Sequence, residues 1–277
     1  SVFCQFLNEE NLANAPVTSI SKKHVTAFSD YVTLTRNVKG RTHNKYMMHI
    51  HCAWQELVNR EIVTENAWSK APRLKEAEVS RRVFTADERL AVAAYLYKND
   101  RWLFYWVVLQ YYCFIRGTEL SRLKFSDFNL SEGFIHLKSE QTKNGKEAFV
   151  TIPSSIDELF TDAFFSSHPK NYFVFGAEMK PNEKKCVGKN TPNLRHRAAM
   201  LRLQKIGEIG DIKNLSIYSW KYTGITDDLN EKLLDLVDAQ SQARHSSATQ
   251  TLQYYRKPKV NDRVRQSAKD IFSKYAK

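Results

Sequence analysis

Phe134-Ile-His-Leu-Lys-Ser-Glu-Gln-Thr-Lys-Asn-Gly-Lys-Glu-Ala-Phe-Val-Thr-Ile152 is the stretch whose reading decides the fold. Residues 134–138 and 149–152 alternate apolar and polar side chains, the period of a half-buried strand. Between them stands Thr142-Lys143-Asn144-Gly145-Lys146, and Asn-Gly suits the positive-φ positions of a tight hairpin turn. One β-hairpin is expected here. Around it the periodicity is helical. Thr85 with Glu88 forms a capping box that opens a helix through Leu90 and Tyr97. Residues 102–113 form an apolar run, broken by Gln110, that is too short to span a bilayer and reads as a buried helix. The expected fold class is mainly α with a small β-hairpin or sheet.

The chain divides around a charged stretch. Between Ser69 and Arg82 the sequence is charged, contains Pro72 and has almost no large apolar side chain, and the linker is placed at 70–84. Before it, residues 1–69 carry two helical patterns. Val25, Phe28 and Val32 follow Ser21 as N-cap. Tyr46, Met47, Ile50, Trp54, Leu57 and Val58 form one stripe on a helix over about 42–60. Lys39, Arg41, His43 and Lys45 flank that helix, as either a solvated helix end or an edge that contacts phosphates. Residues 85–277 form the larger domain.

Lys and Arg total 42 against 30 Asp and Glu, a formal charge of +12. Such a surplus favours a polyanionic partner, because each neutralised phosphate releases condensed counterions. The four cysteines, Cys4, Cys52, Cys113 and Cys186, include no C-x-x-C pair. They read as free thiols in a reducing cytoplasm. His49 and His51 stand two apart, facing different ways on a helix, and give no metal site. The start Ser1-Val2-Phe3-Cys4 has neither an initiator Met nor a basic region, so no signal peptide is expected and the chain reads as trimmed.

Four pieces carry chemistry. Arg116, just after the buried helix, offers a planar fork for a phosphate, with Glu119 one turn on to orient it. Lys143 at the hairpin tip can bring an ammonium to a leaving oxygen. Tyr218-Ser-Trp-Lys221 comes next along the chain, and then Arg244-His-Ser-Ser247 with Tyr254 nine residues past His245. A tyrosine hydroxyl titrates near pH 10 and attacks poorly unless cations stabilise its anion and the developing charge on phosphorus.

In order and spacing these pieces resemble the tyrosine recombinase (phage integrase) family over residues 85–275. The resemblance implies a helical catalytic domain with a small sheet, paired with a helical core-binding domain over 1–69, together clamping double-stranded DNA. It implies no metal and no cofactor. Arg116 matches the first phosphate-binding arginine, Lys143 the hairpin general acid, His245 the histidine that hydrogen-bonds the scissile phosphate, and Tyr254 the nucleophile. Tyr255 is the rival, but Thr251-Leu-Gln-Tyr254 fits the family's T-x-x-Y ending better. Two departures stand out. Tyr218 and Lys221 occupy the His-x-x-Arg box, as in a variant of mobile-element integrases, and Phe114 replaces a common Gly.

The function implied by the resemblance is that of a site-specific recombinase or integrase working through a 3′-phosphotyrosine, tetrameric on DNA. Val260, Val264, Ala268, Ile271 and Phe272 would form a C-terminal helix exchanged between protomers. An accessory DNA-bending factor is a further expected partner, and no membrane is. The alternatives are a non-cleaving DNA-binding protein on the same fold and a type IB topoisomerase-like enzyme. A metal-dependent nuclease is disfavoured, for want of a tight carboxylate cluster.

Overall fold

The computed structural model describes residues 1–77 and 82–245, with 247, 249 and 251. It divides into two compact units, Ser1–Val79 and Ser80–Lys277.

The first unit contains α1 (Val2–Glu9), α2 (Lys22–Asp30) and α3 (Gly40–Asn59). Ser21 caps α2 reciprocally with His24. The apolar pattern of Val25, Phe28 and Val32 runs past the end of α2 into a five-residue π-helical segment, Tyr31–Thr35, which carries Val32. Phe6, Val25, Phe28, Val32, Met47, Trp54, Val63 and Trp68 make the core, and Tyr46, Ile50, Leu57 and Val58 pack at its margin. His43 is buried and bonds the Ser29 hydroxyl at 2.9 Å. Asn44 holds both backbone groups of Leu74, its amide donating at 2.8 Å and its carbonyl accepting at 2.9 Å. Residues 71–77 have no regular structure, yet that pair ties them to α3.

The second unit begins with α4 (Ala86–Asn99), capped by Thr85 and Glu88 as expected. Asp100 caps α5 (Arg101–Tyr112), which has nine consecutive buried residues from Leu103 to Tyr111. A short α6 (Gly117–Leu120) leads to β1 (Phe128–Asn129), β2 (Phe134–Leu137) and β3 (Ala148–Thr151). These form one antiparallel sheet in the order β1-β2-β3, with Ile135 facing Val150. The hairpin lies where the alternation put it; β1, two residues long, adds a third strand that has no readable period. Next come α7 (Asp157–Thr161), α8 (Ala163–Ser166), α9 (Thr191–Lys205), α10 (Tyr218–Asn230) and α11 (Leu236–Ala243).

Helix α10 lies close against α5. A Cβ on Gly224 would sit 1.9 Å from the Tyr111 carbonyl oxygen, so only glycine permits this approach. Phe84 stacks on Trp220 at 4.5 Å, and Trp220 donates its indole N–H to the buried His196 at 3.0 Å. Asp227 accepts from Arg89 and, at 2.8 Å, from the Tyr111 hydroxyl, so one carboxylate serves two donors inside the unit. Among the described residues no helix is long and apolar enough to cross a membrane.

Candidate active site

Arg116 is placed by the end of α5. Cys113, Phe114 and Ile115 break the helix, with Phe114 in the left-handed region at φ 51° and fully buried. This explains why glycine suits position 114, and the packing of Phe114 against Ile225, Leu229, Ala239 and Ala243 offsets the strain here. Arg116 is then extended and caps α6. Glu119, fully buried, accepts the Arg116 backbone N–H and its Nη1, each at 2.9 Å. The pair is thus more than a solvated i,i+3 contact.

A second guanidinium reaches the same carboxylate. Arg244 Nη2 donates to Glu119 Oε2 at 2.5 Å, and the Arg244 carbonyl accepts from Arg116 Nη2 at 2.9 Å. Burial would raise the Glu119 pKa; Arg244, then the hydrogen bond and charge of Arg116, outweigh it and hold the carboxyl below its ordinary value.

Lys221 lies on α10, fully buried. Its ammonium donates to the carbonyls of Phe114 at 2.5 Å and Ala243 at 3.3 Å. Burial first, then Arg244 and Arg116, push its pKa well below the usual lysine range, against the opposing pull of Glu119. His245 comes after α11 and bonds Thr251 Oγ1 through Nδ1 at 3.0 Å. Burial, with the nearby cations Lys221, Arg116 and Arg244, pushes it down to about 4, so its imidazole is neutral at pH 7.

Arg116, Lys143 and Tyr218 all line one cavity of about 790 Å³, with Arg122 and Lys189 also on its wall. Lys143 is exposed in the β2–β3 loop, which Thr142 closes by donating to the Lys146 carbonyl at 2.8 Å. The loop's base is anchored where Arg122 Nη1 donates to the Glu140 carbonyl at 2.7 Å and Gln141 donates to the Arg122 carbonyl at 3.0 Å. These bonds tie the hairpin to the segment just past Arg116.

The structure therefore brings Arg116, Lys143 and Tyr218 to one cavity. Behind Arg116 it gathers Lys221, Arg244 and His245. Tyr254, Tyr255 and the apolar pattern from Val260 to Phe272 lie outside the described residues. Arg244, Thr251 and Arg122 were missed as functional candidates. Arg244 and Thr251 stand inside the quoted motifs, but only their long-range or cross-turn partners reveal a role. Two guanidinium groups on one carboxylate, with Lys221 behind them and a neutral imidazole alongside, leave an excess of positive charge beside a cavity, an arrangement suited to a phosphodiester. Among the described residues no group of three or more His, Cys, Asp or Glu could hold a metal ion.

No family model and no curated protein matches the sequence. Solved structures do match in fold. The Tn1549 transposon integrase in complex with a circular intermediate DNA aligns with a TM-score of 0.74, over 92% of this chain and 87% of that one, at 12% identity. A lambda integrase dimer bound to a COC′ core site aligns with 0.65, over 94% and 90%, at 17% identity. XerA recombinase aligns with 0.51, over 99% and 89%, at 16% identity. The chain, mainly helical with a three-stranded antiparallel sheet, has the fold of the tyrosine recombinases.

Proposed function

We propose that this chain is a site-specific DNA recombinase that cuts and rejoins double-stranded DNA through a 3′-phosphotyrosine at Tyr254. The Tyr254 hydroxyl gives up its proton to solvent and its oxygen attacks the scissile phosphorus, forming one P–O bond as the bond to the 5′ oxygen breaks. Lys143 gives the departing 5′ oxygen its proton. Arg116 and His245 hydrogen-bond the phosphate, Tyr218 adds a donor from the cavity wall, and Lys221 adds positive charge from behind. A free 5′-hydroxyl later attacks the phosphotyrosine and restores the phosphodiester.

The single observation carrying this assignment is the cluster of Arg116, Arg244 and Lys221 around buried Glu119, next to the cavity that Lys143 and Tyr218 line. The fold shared with integrases solved on DNA, and the surplus of basic residues, support it. In this assignment residues 1–69 form a core-binding domain and 70–84 a linker to the catalytic domain. The working form is a homotetramer on DNA, held by exchanged C-terminal segments. An apolar pocket of about 600 Å³ lined by Tyr111, Leu233 and Leu234, with Asp228, Glu231 and Asp238, suits a tail rich in Arg and Lys from a second copy. An accessory DNA-bending factor would act with it.

One observation favours a second assignment. Lys221 faces two carbonyls, which leaves the site short of a cation and suits a DNA-binding protein that does not cleave. Nicked duplexes carrying a randomised target segment separate the two. Covalent protein–DNA adducts on a denaturing gel, enriched in one sequence, identify a recombinase; tight binding without adduct identifies the binder. Relaxation of supercoiled plasmid without site preference points to the topoisomerase.

A further inference from the structure

The residue before His245 carries a guanidinium to which the family resemblance gives no role. Arg244 ends α11 in the left-handed region, at φ 54° and ψ 49°, where glycine is the comfortable residue. Its side chain is turned inward and only 11% exposed. Nη2 bonds Glu119 and Nη1 donates to the Gln242 carbonyl at 3.2 Å. Arg244 therefore meets Arg116 twice, once through the shared carboxylate and once through its own carbonyl. Lys221 stands where the resemblance puts a second arginine, and its ammonium is engaged with Phe114 and Ala243.

We propose that Arg244 is a positioning residue for Arg116 and provides the guanidinium that position 221 lacks. The geometry has two physical effects. Alone, Arg116 and Glu119 would be a neutral pair; with Arg244 the triad carries one net positive charge to attract a phosphate. Arg116 is also held at both Nη atoms, so its remaining N–H donors are preorganised for an anion in the cavity that it lines. This inference rests on the proposal that the cavity receives a scissile phosphate.

The test uses the full chain and the nicked duplex that the unmodified protein captures from the randomised pool. Arg244→Gly removes the guanidinium and relieves the left-handed backbone, but it also takes one partner from buried Glu119, so the melting temperature of each variant is read beside its rate. Adduct formation at saturating duplex should slow by about 100-fold, the scale of losing one preorganised donor. Duplex affinity should change by less than about threefold, since a single displaced phosphate contact carries little of the total. Arg244→Lys, which restores the charge without the fork, should recover part of the rate. In an Arg116→Lys background, Arg244→Gly should cost far less, because coupled residues do not lose rate independently. Cleavage by Arg244→Gly at the unmodified rate overturns the proposal. So does a full multiplicative loss in the double variant, or a loss explained by a lower melting temperature. If the unmodified protein captures no duplex, the recombinase assignment fails first, and this inference is withdrawn with it.

Discussion

The Lys221 ammonium donates to the Phe114 carbonyl at 2.5 Å, two residues before Arg116, and to the Ala243 carbonyl at 3.3 Å, two residues before His245. One buried side chain thus ties together the two segments that carry the proposed phosphate ligands. Lys221→Ala would leave those carbonyls without this donor and open a cavity, costing about 3 kcal/mol of stability. It should also slow adduct formation. Lys221→Arg must fit a larger group into a fully buried position and should cost about 1–3 kcal/mol. Urea unfolding checks both; an unchanged midpoint for Lys221→Ala would contradict this geometry.

Lys143→Ala should slow cleavage of ordinary DNA by about 100-fold, the range of a lost general acid. A duplex with a bridging 5′-thio leaving group needs little protonation and should be cleaved at nearly the unmodified rate. Equal loss on both substrates would make Lys143 a binding residue only.

Acid should weaken the fold before carboxylates titrate. Burial pushes His196 down to about 3, and burial with neighbouring cations pushes His245 down to about 4. Both folded values lie below the ordinary histidine value near 6.5. The unfolded chain therefore binds more protons between those values and about 6.5, and stability rises with pH across that window. The full contribution is present above about pH 6.5 and drains as pH falls through 5 toward the folded values. Urea midpoints at pH 7, 6 and 5 should decline in order. His196→Gln, which keeps an acceptor for the Trp220 N–H, should flatten the decline. Identical midpoints at pH 7 and 5 would contradict it.

Binding to duplex DNA should weaken steeply with salt, log K falling by about 0.9 per phosphate contact for each log unit of salt. Fluorescence titrations from 50 to 200 mM salt would measure the slope. A flat response would contradict a phosphate-contacting basic surface.

Features that rest on local periodicity and turn chemistry were legible in the sequence. The alternation flanking Asn144-Gly145 located the hairpin, although the strands pair only to Leu137 and Ala148 and a longer loop, with Gly145 but not Asn144 at positive φ, stands where a tight turn was expected. Thr85 with Glu88 marked the start of α4. Phe114, noted as a departure from glycine, proves to be a left-handed residue. Strand β1 has two residues, too few for any period to show. The role of Arg244 depends on a carboxylate 125 positions away, and that contact exists only once α11 folds back beside α6. The burial of Lys221 was equally hidden. Helix α10 buries Ser219, Trp220, Lys221, Thr223, Gly224 and Ile225 together, leaving no polar stripe that would have marked the lysine's side as interior or exposed.

A covalent bond between Tyr254 and a DNA 3′-phosphate is the centre of the proposed chemistry. Its most direct measurement is mass spectrometry of the peptide recovered from a nicked-duplex adduct after nuclease and protease digestion. The expected result is a nucleotide-bearing peptide with the modification on Tyr254, together with an adduct that Tyr254→Phe abolishes while duplex binding persists. An adduct that survives Tyr254→Phe and disappears in Tyr255→Phe, or no adduct from the unmodified chain on any duplex that it binds, would contradict it.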